Sequence, residues 1–208
     1  MKKYFMIAAA VLAAVAFASC NADPEVEGNK GGDEGKTEEP VEFKTTDATT
    51  VCINELNGND GYKGIELYNP TDAEVSLEGW AIVKNGEETL YWEGVEGNKI
   101  AAKGYFVIKA NKKTAEIDGV ASATGTGGLS AAKAVKLELK NANGAIVDTF
   151  DRGLRPDLED PEVVLPTAEG SMARKEDGKA LWKVMAATFG ATNNGANVIG
   201  DIVTVPEE

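Results

Sequence analysis

The sequence predicts an all-β fold: an antiparallel β-sandwich preceded by a signal peptide and a disordered acidic tether. Three observations carry this. Apolar runs after residue 48 are short and alternate with charge. Gly, Asn, Asp and Pro punctuate them at close spacing. Few segments hold a helical period, residues 112–117 being a candidate single turn. Many short strands with frequent turns build sandwiches rather than helical bundles.

The ends are set aside first. Lys2 and Lys3 precede an uncharged, alanine-rich apolar run over residues 4–17. A membrane-spanning helix needs about 20 residues, so this run is too short to cross comfortably. Phe17-Ala18-Ser19-Cys20 follows and resembles the lipobox of bacterial lipoprotein signals. That resemblance implies cleavage before Cys20 and a diacylglycerol on its thiol. Leu is usual three positions before the Cys; Phe17 stands there. The alternatives are an ordinary secretory signal cut near Ala18 and an uncleaved anchor.

Residues 1–19 are thus read as the signal peptide, and 20–47 as the lipidated Cys20 with its linker. The linker carries Asp23, Glu25, Glu27, Asp33, Glu34, Glu38, Glu39 and Glu42 among Gly and Pro. It has too little apolar surface to offset chain entropy, so the expectation is a tether extended by charge repulsion. Acidic residues close behind a lipidated Cys resemble surface-sorting signals. The expected location is the bacterial outer membrane, with surface-exposed and periplasmic positions both open.

The net charge is −13 for the whole chain, and −15 without residues 1–19 (19 Lys+Arg against 34 Asp+Glu). Such a field repels phosphate backbones and argues against nucleic acid as a partner. The lipid on Cys20, not a basic patch, would reach the membrane. With Cys20 lipidated, Cys52 has no partner in the chain, and its apolar run Thr50-Val51-Cys52-Ile53 marks it as a core residue. A domain free of disulfides must then rest on its core, which about 150 ordered residues can supply.

The expected domain is 48–194, with 195–208 a last strand or frayed tail. Strands are expected at 51–56, 64–68, 80–84, 90–92, 105–109, 134–139 and 145–151. Val135, Leu137 and Leu139 alternate with Lys136, Glu138 and Lys140, the period of a half-buried strand. Asn85-Gly86 and Asn143-Gly144 are two-residue turn signals, because both residue types tolerate positive φ.

Several pieces now fall into an ordered series: Ile53-Asn54-Glu55-Leu56, Ile65-Glu66-Leu67-Tyr68-Asn69, Leu77-Glu78-Gly79-Trp80, Ile100 to Tyr105, Val147-Asp148-Thr149-Phe150-Asp151, Gly170 to Arg174, Asp177-Gly178 and Trp182. The series resembles the lamin-tail domain family over about 48–194. The resemblance implies an immunoglobulin-like sandwich and an interaction module, with no shared catalytic residues to carry over. It argues against an enzyme without naming a ligand.

Glu55 and Glu66 pose the sharpest question. Two carboxylates on neighbouring strands fit a general acid–base pair, a calcium site or the solvent face of a hairpin. Both alternate with apolar neighbours, so the reading favours outward strand positions. Asn57, Asn59 and Asp60 offer side-chain oxygens for calcium, although turn chemistry explains them equally. Asp148, Asp151, Asp157, Glu159 and Asp160 form a second acidic group. The long loop 153–166, with Asp157, Glu159 and Asp160, is a candidate partner site. Tyr91 and Trp92 are adjacent on one strand, so one should face outward, suited to a sugar or a protein. Trp80 and Trp182 are expected in the core. The chain has no histidine, which removes Ser-His-Asp and Cys-His catalysis. Ser130-Ala131-Ala132-Lys133 spells Ser-x-x-Lys, but it precedes a β run without a downstream Lys-Thr-Gly.

The expectation is therefore a noncatalytic envelope lipoprotein whose domain binds or scaffolds a glycan or protein partner, without a cofactor. The rivals are a metal-dependent hydrolase using Asp148, Asp151 and Asp160, and a structural spacer without a ligand.

Overall fold

A computed structural model of the chain describes residues 42–57, 63–110 and 120–205. Among them are thirteen strands and no helix. In chain order these are β1 (Cys52–Asn57), β2 (Gly64–Tyr68), β3 (Val75–Ser76), β4 (Ala81–Lys84), β5 (Trp92–Glu93), β6 (Lys99–Ile100) and β7 (Tyr105–Lys109). Then follow β8 (Ala121–Thr124), β9 (Lys136–Lys140), β10 (Ile146–Asp151), β11 (Ser171–Arg174), β12 (Trp182–Met185) and β13 (Val198–Gly200).

A seven-stranded sheet runs β13-β12-β11-β1-β2-β7-β8, and a four-stranded sheet runs β10-β9-β4-β5. β3 and β6 form a separate two-stranded ribbon. All strand pairs are antiparallel except β7 with β8, which run parallel. The expected sandwich is thus present, with that one departure.

The core lies between the two large sheets. Ile53, Leu56, Ile65, Leu67, Phe106, Ile108 and Met172 from one sheet meet Ile82, Leu137, Leu139 and Phe150 from the other. Each large apolar side chain so buried is worth roughly 1.5–3 kcal/mol. β9 shows the alternation read from its sequence: Leu137 and Leu139 are buried, whereas Lys136, Glu138 and Lys140 are half-exposed. Phe43, Phe150 and Trp182 close one end, with centroids 5.1 Å (Phe43–Phe150) and 4.8 Å (Phe150–Trp182) apart. Cys52, Trp80 and Trp182 are buried as expected.

Turn chemistry fixes two registers. Asn85 and Gly86 both take positive φ, 54° and 71°, and Glu87 N–H donates to the Lys84 carbonyl at 2.9 Å. The β9–β10 hairpin closes on Gly144, at φ 77°.

Two sequence expectations about side-chain direction fail. Tyr91 and Trp92 are both buried, at 2% and 3% exposure, so neither offers an outward aromatic face. Trp92 packs on Phe106 in the core, with centroids 5.7 Å apart. Tyr91 would point away from it, but the segment after β8 covers that side: Thr126 N–H donates to the Tyr91 carbonyl at 2.8 Å. A Cβ on Gly125 would stand 2.8 Å from the Tyr91 ring, so only glycine lets the segment lie that close. Glu55 and Glu66 are likewise fully buried rather than solvent-facing.

Candidate functional site

β1 carries a bulge between Ile53 and Glu55. The extra residue, Asn54, lets Ile53 and Leu56 both face the core while Glu55 points to the other side of the sheet. Glu55 and Glu66 are then direct cross-strand partners on β1 and β2. Val107, Ala173 and Met185 are buried but lie outside the core cluster, and strand alternation puts them on this same outer face.

The connection between β12 and β13, residues 186–197, closes over this face. Thr188 donates to Glu55 from its backbone N–H, at 3.1 and 3.2 Å to the two carboxylate oxygens, and from its hydroxyl at 2.7 Å. Gly190 N–H donates to Glu66 Oε2 at 2.6 Å, and Asn54 Nδ2 donates to Glu66 Oε1 at 3.1 Å. Asn193, the one fully buried residue of this loop, donates from Nδ2 to the Arg174 carbonyl at 2.9 Å. Asp177, in the β11–β12 turn, accepts from Asn54 Nδ2 (2.9 Å), the Tyr105 hydroxyl (2.8 Å) and Asn193 N–H (3.1 Å).

Burial pushes both glutamates up from the usual carboxylate range. For Glu66 burial and, secondarily, the charge of Glu55 outweigh the hydrogen bonds, and its pKa rises to about 8. A raised carboxylic acid is what a general acid needs, but the loop leaves no room for a substrate beside either side chain, each 0% exposed. Two carboxylates on one face were legible from the sequence; the loop that buries them was not.

On the core side, Asp148 leaves the acidic group in which the sequence placed it. It is paired with Arg174, whose Nη2 donates to both carboxylate oxygens at 3.1 and 3.0 Å. Arg174 Nε donates to the Ile53 carbonyl at 2.8 Å, and Nη1 to the Thr46 and Lys179 carbonyls at 2.8 and 2.6 Å. Asp148 also accepts from Ile53 N–H at 2.8 Å. The pair joins β10 of the small sheet to β1 and β11 of the large one. Its carboxylate has no open position for a metal or a substrate. Sequence reading gave Arg174 no role of its own; its place at the end of a short strand, four residues after a glycine, carries no signal of burial.

The remaining expected site residues are dispersed. Asp157, Glu159 and Asp160 are exposed in the loop after β10. Asp157 is held by Arg155 through two bonds at 3.0 Å, which lowers its pKa. Asn57 is buried and donates to Ser171 Oγ at 3.1 Å, so its side chain is turned to β11. Asn59, Asp60 and Cys20 lie outside the described residues. Among the described residues no cluster of three or more His, Cys, Asp or Glu could hold a metal ion. No helix among them is long and apolar enough to cross a membrane.

Among the described residues, two of the concavities that face solvent bear on these expectations. A small one, about 160 Å³, is lined by Lys84, Ser130, Lys133 and Glu162. There Lys133 Nζ donates to Glu162 at 3.0 Å, so the lysine of the Ser-x-x-Lys sequence is engaged in an ion pair. The larger, about 440 Å³, is a groove between residues 43–46 and β10. β10 is the edge strand of its sheet, six residues long, and Ile146 at its start is 53% exposed.

The family model for the Lamin Tail Domain matches residues 44–153, from the first described strand pairing to two residues past β10. No curated protein matches the chain.

Proposed function

We propose that this chain, which belongs to the lamin tail domain family and carries its immunoglobulin-like module, is a noncatalytic binding or scaffolding protein of the cell envelope. Lipid on Cys20 holds it at the outer membrane, facing the cell exterior or the periplasm. The acidic linker spaces the domain from the bilayer. The domain engages a protein or glycan partner.

The observation that supports this reading most is the groove beside β10. A sheet edge offers main-chain donors and acceptors to an incoming extended segment, and the adjoining groove gives side chains a place to seat. The groove also has an exposed apolar residue, Ile146, at its mouth. By contrast, the carboxylates with the strongest chemistry are sealed: Glu55 and Glu66 under the 186–197 loop and Asp148 against Arg174.

The test is a thermal-shift screen of the full chain with polysaccharides and envelope proteins, beside an Ile146→Glu variant. A ligand at about 100 times its Kd adds roughly 2.7 kcal/mol, on the order of 5 °C in a domain of this size. A shift present in the native chain and lost in the variant supports the groove. A shift that survives Ile146→Glu moves the binding site elsewhere. Turnover of any added polysaccharide or peptide by the protein overturns the noncatalytic reading. Cys20→Ala is expected to release the protein from membranes into the soluble fraction, and continued retention on membranes refutes the lipid anchor.

A further inference from the structure

We propose that residues 186–197 form a proton-linked latch, closed over the outer face of the large sheet when the Glu55–Glu66 pair holds a proton and opened when it loses it. Three geometric facts carry this. The two carboxylates are cross-strand partners with no exposure. Everything the loop brings to them is neutral: Thr188 N–H and hydroxyl, and Gly190 N–H. In the loop Asn193 is the buried anchor, Thr188, Phe189, Gly190 and Ala196 are half-buried, and the remaining residues are exposed.

The charged and titratable groups around Glu66 come from several elements. β1 brings Glu55; the β11–β12 turn brings Asp177; β7 brings Tyr105, whose hydroxyl is donated to Asp177. Two of these three are acidic, and both push the Glu66 pKa up. Arg174, the buried cation of β11, is turned to the core and taken by Asp148. Its carbonyl, not its guanidinium, meets the loop. A closed latch therefore leaves a second negative charge on the pair uncompensated, and the pair titrates as a unit.

The sign follows from linkage. The closed state binds the proton more tightly than the open one, where Glu66 meets water. The proton's contribution to closure is fully present below the ordinary carboxylate range and is lost as pH rises through about 8. Between those limits the open population grows by at most about tenfold per pH unit. Opening uncovers the two carboxylates together with Val107, Ala173 and Met185, an apolar patch beside two acidic side chains, with Lys109 and Lys183 on the same face of the sheet.

Hydrogen exchange of the full chain tests this, reading peptides over 186–197 from pH 5 to 9 and correcting for the intrinsic rate. The expected result is protection that falls with pH in the native chain and stays nearly flat in Glu66→Gln. Protection independent of pH in the native chain overturns the latch, as does an equal fall in Glu66→Gln. Should Glu66→Gln fail to fold, the carboxyl carbon shift of Glu66 in the unmodified chain decides. A midpoint near 8 that coincides with loop opening supports the latch, and a midpoint in the ordinary carboxylate range overturns it.

Discussion

Removing the guanidinium of Arg174 should nearly unfold the domain. Arg174→Met keeps much of the aliphatic stem but leaves Asp148, almost without exposure, facing an apolar group. Breaking a buried pair from one side costs about 3–5 kcal/mol, because the surviving charge stays desolvated. The Ile53, Thr46 and Lys179 carbonyls also lose their donor. So does the face of Trp182, whose ring centroid lies 5.2 Å from the guanidinium, a contact worth about 0.5–2 kcal/mol. A total near 5 kcal/mol is a large share of the roughly 5–15 kcal/mol by which domains are stable. With a urea m-value of about 2 kcal/mol per molar, the midpoint should fall by about 2 M. Urea melts of Arg174→Met, Asp148→Leu and the double variant form the cycle. The double variant should recover part of the loss, since two apolar groups leave no buried charge behind. A single-variant cost under about 1 kcal/mol, in the range of exposed surface pairs, would refute the assignment of this pair as the tie between the sheets.

Three smaller predictions use the same melts and simple chemistry. Tyr91→Phe should be neutral or stabilising by about 1 kcal/mol, because the buried Tyr91 hydroxyl has no hydrogen-bond partner among the described residues. Gly153→Ala should destabilise by about 1–3 kcal/mol: Gly153 takes φ 85°, and a Cβ there would stand 2.8 Å from Val205. The same change should loosen the C-terminal tail, seen as faster proteolysis beyond Asp201. Cys52 should stay unreactive to thiol reagents at pH 8 until denaturant is added, since burial pushes its thiol up to about 12.

The sequence made the strands legible where turn chemistry and period agreed. β2 and β7 fall on their expected bounds; the Asn-Gly turn at 85–86 has positive φ at both residues, and the one at 143–144 at Gly144 alone. β11 and β12 were read only as parts of a closing segment and not as strands, and β3, β6 and β8 were missed altogether. Two of them are only two residues long, too short to display a period, and β8 is Ala-Ser-Ala-Thr, without a large apolar residue to mark a face. The site was less legible than the fold, for one physical reason. Alternation along a strand says that Glu55 and Leu56 face opposite sides; it does not say whether the second side meets water. At Glu66 a loop more than a hundred residues downstream decides that, and at Tyr91 the segment after β8 does. Asp148 is the same lesson on the core side. A charge in a strand reads as exposed unless its partner is known, and that partner, Arg174, is 26 residues away.

The place of β11 beside β1 has a consequence for how the molecule is made. β1 opens the domain, yet one of its two neighbours in the sheet arrives only with residues 171–174. The bond from Arg174 to the Ile53 carbonyl spans a separation of 121 residues. Bringing ends so far apart together costs about 4 kcal/mol of loop entropy beyond the constant term, and contacts of such range slow folding. Until the last third of the chain is available, β1 lacks its second hydrogen-bonded partner and Asp148 lacks its cation. A chain built this way stays open through most of its synthesis. That delay would fit the export that the proposed lipid anchor on Cys20 calls for.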